Sequence, residues 1–130
     1  MKRLIRSLGV LFALLAANLA SAASFEGTWT TQTQTEGGPL IYTFIFAVGA
    51  DKAVTLRVNY SLAVVGMGGD AVVSDLKIEG DTVSFKETTD FSGYAVVASE
   101  YKGVLSGSEI KFEKTSNPGG TTNVVATKRN

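Results

Sequence analysis

The feature that most constrains this chain is its punctuation. From residue 25 onward, short runs of alternating apolar and polar residues are cut off by Gly, Asp, Asn or Pro. Alternation with period two sends successive side chains to opposite faces, as a half-buried strand requires. No window carries the i, i+3, i+4, i+7 apolar stripe of an amphipathic helix. Eight strands are expected, over residues 25–33, 40–48, 53–60, 72–79, 82–88, 94–105, 109–114 and 122–129. Glu36-Gly37-Gly38-Pro39, Gly49-Ala50-Asp51-Lys52, Gly80-Asp81, Ser106-Gly107-Ser108 and Asn117-Pro118-Gly119-Gly120 suit tight connections between them. Composition agrees: residues 23–130 hold 14 Thr and 13 Val against five Leu, a bias towards strands.

Residues 1–22 stand apart. Lys2, Arg3 and Arg6 precede an apolar run from Leu8 to Leu19 broken only by Asn18, and Ala20-Ser21-Ala22 is a small-x-small cleavage pattern. This reads as a secretory signal peptide, too short for a comfortable membrane span. The expectation is a signal peptide at 1–22 and a single domain at 23–130, exported to the periplasm or beyond the cell. Cleavage after Ala22 leaves 108 of the 130 residues and takes Lys2, Arg3 and Arg6 away, so a net charge of zero becomes −3. The near-neutral balance gives no nucleic-acid footprint. With no Cys and no His in the sequence, disulfides, thiolate or imidazole metal ligands and histidine bases are all excluded. No metal site and no cofactor is expected.

Parity assigns faces. Val54, Leu56, Val58 and Tyr60 oppose Thr55, Arg57 and Asn59; Val83 and Phe85 oppose Ser84 and Lys86; Ile110 and Phe112 oppose Lys111 and Glu113. Residues 40–48 depart from this, since Ile41 and Ile45 lie opposite Leu40, Tyr42, Phe44 and Phe46; that strand is covered on both sides or shows an apolar strip. There is also an internal echo. Residues 76–93 match residues 103–120 at an offset of 27, aligning Gly80 with Gly107, Val83 with Ile110, Phe85 with Phe112 and Gly93 with Gly120. A repeated hairpin builds a meander. A meander of about eight strands removes its edges by closing into an up-and-down barrel, whose bore holds side chains or one small ligand. The fold class expected is all-β, an antiparallel meander closed into a small barrel.

Gly27-Thr-Trp29 opens the first strand and Lys128-Arg129 closes the last. A Gly-x-Trp on the first strand, with a basic residue of the final strand over the indole, resembles the calycin group of lipocalins, fatty-acid-binding proteins and avidins. More closely, the chain from residue 23 is similar to small exported bacterial β-barrel domains of unassigned function. The resemblance implies that Gly27, Trp29 and Arg129 (or Lys128) close one barrel end. The C-terminal helix and T-D-Y motif of lipocalins are missing from this sequence.

Chemistry-bearing patterns are few. Ser74-Asp-Leu-Lys77 and Ser108-Glu-Ile-Lys111 fit S-x-x-K, but on a strand positions three apart face opposite ways. Gly66-Met-Gly-Gly69-Asp70 precedes Ala71-Val72-Val73, a strand rather than the helix a phosphate cradle needs, so a mobile loop is expected there. Asp51, Asp70, Asp81 and Asp90 sit in expected turns. By parity Glu87 shares the face of Phe85, and its repeat counterpart Lys114 shares the face of Phe112. The two either pair near a barrel end and orient a polar ligand, or lie just beyond the rim in water, which is the simpler reading. Tyr42, Phe44, Phe46, Phe85, Tyr101 and Phe112 fill the core or, if the bore is open, line it with Glu87 and Lys114 as a ligand site.

Three readings follow. The first is a soluble exported module, not an enzyme and monomeric, that holds a small apolar or amphipathic ligand in the barrel. The second is a filled barrel that binds a protein or envelope partner through its loops or an exposed apolar strand. The third, a membrane barrel, is disfavoured because Glu26, Arg57, Lys77 and Lys86 would face lipid and the chain ends in Asn130.

Overall fold

The computed structural model describes residues 24–117 and 119–129; the expected signal peptide at 1–22 lies outside the described residues. Eight antiparallel strands follow one another around a closed barrel. They are β1 Gly27–Thr35, β2 Gly38–Val48, β3 Val54–Leu62, β4 Met67–Glu79, β5 Thr82–Asp90, β6 Val96–Ser106, β7 Glu109–Asn117 and β8 Gly120–Lys128. Each strand pairs with its sequence neighbour, and β8 returns to β1 through Trp29↔Lys128 and Thr30↔Thr127. The meander is therefore the one that the turn chemistry implies. Among the described residues no helix is long and apolar enough to cross a membrane.

The two echoed hairpins are structurally equivalent. Gly80 and Gly107 both turn with φ near +60° (58° and 63°), a conformation that favours glycine. Val83 and Ile110, and Phe85 and Phe112, are all buried. Every pair of rings among Phe44, Phe85, Tyr101 and Phe112 is in contact, with centroids 4.7 to 6.0 Å apart. This tetrad plugs the middle of the bore. Gly103 makes room for it, since a Cβ there would stand 2.6 Å from the Phe112 ring.

Several expectations change. Residues 66–70 are not a free loop: Ala63–Val65 form a short 3-10 turn, and β4 begins at Met67. Gly66 ends that turn at φ 71°, donating its N–H to Ala63 O at 3.0 Å. Gly68 and Gly69 then pair with Ser61 and Tyr60, and Gly68 lies so close that a Cβ would meet Tyr60 O at 3.3 Å. Tyr94 lies in the turn before β6 and is exposed, because Phe91 and Ala95 close that turn by a backbone bond of 2.8 Å. Phe25 precedes β1 rather than starting it and is buried at the barrel end. On β2, Ile41 and Ile45 are half-buried. Ser74 and Lys77 share the outer face after all: a bulge between them, with Asp75 at φ 55°, lets them pair with Lys86 and Ser84, two residues apart. Both are exposed on the outer wall.

Candidate functional site

The two barrel ends differ in kind. At one, Trp29 is fully buried and donates its indole N–H to Phe25 O at 2.8 Å. The register sets Lys128 opposite Trp29, and its ammonium stands 5.5 Å from the ring centre, a cation–π distance. Gly27 lets the lysine pass: a Cβ there would come within 3.0 Å of Lys128 Cε. Arg129, expected to share in this closure, contributes through its backbone N–H, which donates to Thr28 O at 2.8 Å. The basic residue over the indole is Lys128, because strand register and not proximity to the chain end decides which side chain reaches it.

At the other end the barrel is open. Pairing of β1 with β8 stops at Thr30, and beyond it a pocket of about 280 Å³ opens in the seam. Thr31 and Thr33 face it from β1, and Thr122 and Val124 from β8. Tyr42, Tyr101 and Lys114 also line it, as do Leu40, Phe91 and Val97.

Beside this pocket lies a polar cluster inside the barrel wall. Glu87 is 1% exposed and Thr89 is fully buried. Thr89 donates its hydroxyl proton to Glu87 Oε1. That proton being committed, the Tyr42 O–H is the donor to Thr89 Oγ1, at 3.2 Å. Glu87 Oε2 is buried without a hydrogen-bond partner among the described residues. Ser99, also buried, shares a 2.9 Å hydroxyl bond with Ser116. Lys114 is half-buried, with its ammonium 4.4 Å from the centre of the Tyr42 ring and 5.2 Å from that of Tyr101.

Burial dominates the electrostatics. Desolvation raises the Glu87 pKa, against the opposing pull of Thr89, the Lys114 charge and Ser99. Desolvation likewise lowers the Lys114 pKa, against the Glu87 charge. The Tyr42 phenol is pushed up to about 12, first by burial and then by the Glu87 and Tyr60 charges. Tyr101 is raised too, mainly by burial. Both phenols are therefore neutral at physiological pH.

The sequence-expected ligand residues thus divide. Tyr42, Tyr101 and Lys114 line the open-end pocket, and Glu87 lies just behind it. Phe44, Phe85 and Phe112 belong to the packed tetrad, and Phe46 packs on Phe25 at 5.6 Å towards the closed end. The simpler reading of Glu87, as a rim residue in water, is overturned by its burial; β5 continues to Asp90, two residues past its expected end. Thr89, Ser99, Ser116 and Thr33 are additions. Continuing the period-two parity beyond the expected strand ends would have found Thr89 and Ser116.

A larger concavity, about 830 Å³, lies on the outer wall of β4–β8, between Lys77, Lys102, Val104, Lys111, Glu113 and Val125. These are outward side chains of mixed sign, mostly exposed, on the flank of a twisted sheet. Its charged side chains are exposed, in contrast to the buried Glu87 and Thr89 beside the open-end pocket. Among the described residues no cluster of three or more acidic, His or Cys side chains could hold a metal ion. Comparison of the chain with protein-family models, with curated proteins and with solved structures finds no match.

Proposed function

We propose that the chain is an exported β-barrel module that binds one small amphipathic molecule at the open end of the barrel. The observation that carries this reading is the contrast along the bore. The middle and the Trp29 end are filled by aromatic rings; at the open end Tyr42, Tyr60 and Phe91 also pack together, but beside them lies a pocket of about 280 Å³ next to a buried carboxyl and a half-buried ammonium. Buried charges are costly and a core built only for stability has little use for them. Small-molecule sites combine apolar walls with a few placed polar groups, and this pocket is at the small end of their usual range of roughly 300–1,000 Å³. The ligand is therefore of fragment size. Export rests on the basic, apolar and small-x-small pattern of residues 1–22.

A second reading has its own observation. Tyr94 is 85% exposed, Val64 73% and Val96 58%, and all three sit on connections or strand starts at the open end. An apolar rim of this kind suits an envelope partner.

A thermal-shift panel of small amphipathic molecules, run on residues 23–130 and on its Thr122→Phe variant, tests the first reading. Stabilisation that grows with concentration and disappears in the variant, where the larger side chain fills the pocket, supports it. Absence of any stabilisation, or equal stabilisation of both proteins, removes it and leaves the rim as the working surface.

A further inference from the structure

The open end holds one acidic and one basic side chain, Glu87 and Lys114, that do not meet. Glu87 and Lys114 hold equivalent places in the two echoed hairpins, 27 residues apart, which brings them to neighbouring layers of one barrel end. Yet among the described residues no ion pair within 4.0 Å joins Lys114 to a carboxylate. Its ammonium faces the Tyr42 and Tyr101 rings instead. Glu87 does not line the pocket; it acts on it at one remove, as a charge and through the chain Tyr42–Thr89–Glu87. The other polar side chains around the pocket carry hydroxyls, those of Thr31, Thr33, Tyr101, Ser116 and Thr122.

We infer that this pocket, on the reading that the open end holds a ligand, selects an uncharged head group that both donates and accepts hydrogen bonds, a hydroxyl or a primary amide, and disfavours organic anions and cations alike. An anion placed on Lys114 would have the Glu87 carboxylate behind it. A cation drawn by Glu87 would have to displace or face the Lys114 ammonium. A hydroxyl or amide accepts from Lys114 and donates to a threonine or serine oxygen with no charge to balance. The apolar body of the ligand then lies against Leu40, Phe91, Val97 and Val124. Glu87 is thus a selectivity-determining residue that touches no ligand atom. Removing its charge should turn the pocket into an anion site, and removing that of Lys114 should turn it into a cation site.

The test holds the apolar body fixed and changes the head. 1-Hexanol, hexanamide, hexanoate and hexylammonium are titrated at pH 7 into the ¹⁵N-labelled domain 23–130 and into Glu87→Gln and Lys114→Met, following the amides of Thr33 and Thr122. Hexanol and hexanamide are expected to bind the native protein about tenfold more tightly than either ion, a difference of about 1.4 kcal/mol. In Glu87→Gln hexanoate should gain about tenfold, and in Lys114→Met hexylammonium should gain similarly. An ion that binds the native protein as well as hexanol does, or selectivity unchanged in both variants, overturns the head-group inference while leaving the pocket standing. If none of the four moves the pocket amides of the native protein, the pocket reading falls, and this inference with it.

Discussion

The ammonium of Lys114 stands 4.4 Å above the ring of Tyr42, and the hydroxyl of that same tyrosine bonds Thr89, which in turn bonds Glu87. One aromatic side chain therefore separates and links the two ionisable groups inside the barrel. Its face takes the cation and its edge leads to the carboxyl. The consequence is a polar floor with one acid and one base set into an otherwise aromatic bore.

Stability should depend on pH through this pair, with opposite signs at its two ends. The native state holds the Glu87 proton more tightly than the unfolded chain does, since burial raises its pKa above 4.5. Stability is then greatest below 4.5 and falls as pH rises through the raised native value. Lys114 is lowered from 10.5, so stability recovers as pH climbs from the lowered value towards 10.5. Urea midpoints measured across pH should show the acid-side decline in the native protein and lose it in Glu87→Gln.

Removing Lys114 should move Glu87 further. The ammonium lowers the Glu87 pKa, so in Lys114→Met the carboxyl should titrate at still higher pH than in the native protein. A ¹³C-carboxyl NMR titration of both proteins reads this directly. A downward or absent shift would mean that the two groups do not sense each other.

Much of this arrangement is visible in the sequence. Parity alone puts Phe85 with Glu87 and Phe112 with Lys114, and the 27-residue echo puts the two charged positions in correspondence. Turn glycines such as Gly80 and Gly107 announce the hairpins because their left-handed backbone has few alternatives. What parity does not supply is where a strand ends. Thr88 reads as a terminus because polar residues follow it, yet Thr89 is fully buried, its hydroxyl satisfied by Glu87 and Tyr42. Nor does a local pattern reveal a bulge, which is why Ser74 and Lys77 share a face. The choice of Lys128 over Arg129 depends on β1–β8 register, a long-range property. A sequence also does not say that four rings close the bore midway and that a pocket lies above them.

Gly103 should resist substitution. Its Cβ would meet the Phe112 ring at 2.6 Å and Ile110 Cγ2 at 2.8 Å, in a part of the core that is fully packed. Gly103→Ala is expected to cost about 1–3 kcal/mol by overpacking. Denaturant unfolding measures it, and Gly69→Ala, a strand glycine whose Cβ would meet nothing nearer than the Tyr60 ring at 3.6 Å, separates steric crowding from the backbone effect of losing a glycine.

The closed end has a spectroscopic handle. Trp29 is the sole tryptophan, fully buried, with its N–H committed to Phe25 O. Its emission should be blue-shifted in the folded protein and move red on unfolding. Trp29→Phe leaves that buried carbonyl without its donor and should cost about 1–3 kcal/mol. Guanidinium melts followed by far-UV circular dichroism compare the two proteins.

The most direct test of the central claim is to locate a bound amphipathic molecule by amide chemical-shift mapping on residues 23–130. 1-Hexanol, or another fragment that stabilises the protein, is expected to perturb Thr31, Thr33, Thr122 and Val124 along the β1–β8 seam and to leave Trp29 and the outer wall at Lys102 and Lys111 unmoved. Perturbations gathered on the outer wall, or spread evenly with no saturation, would contradict it.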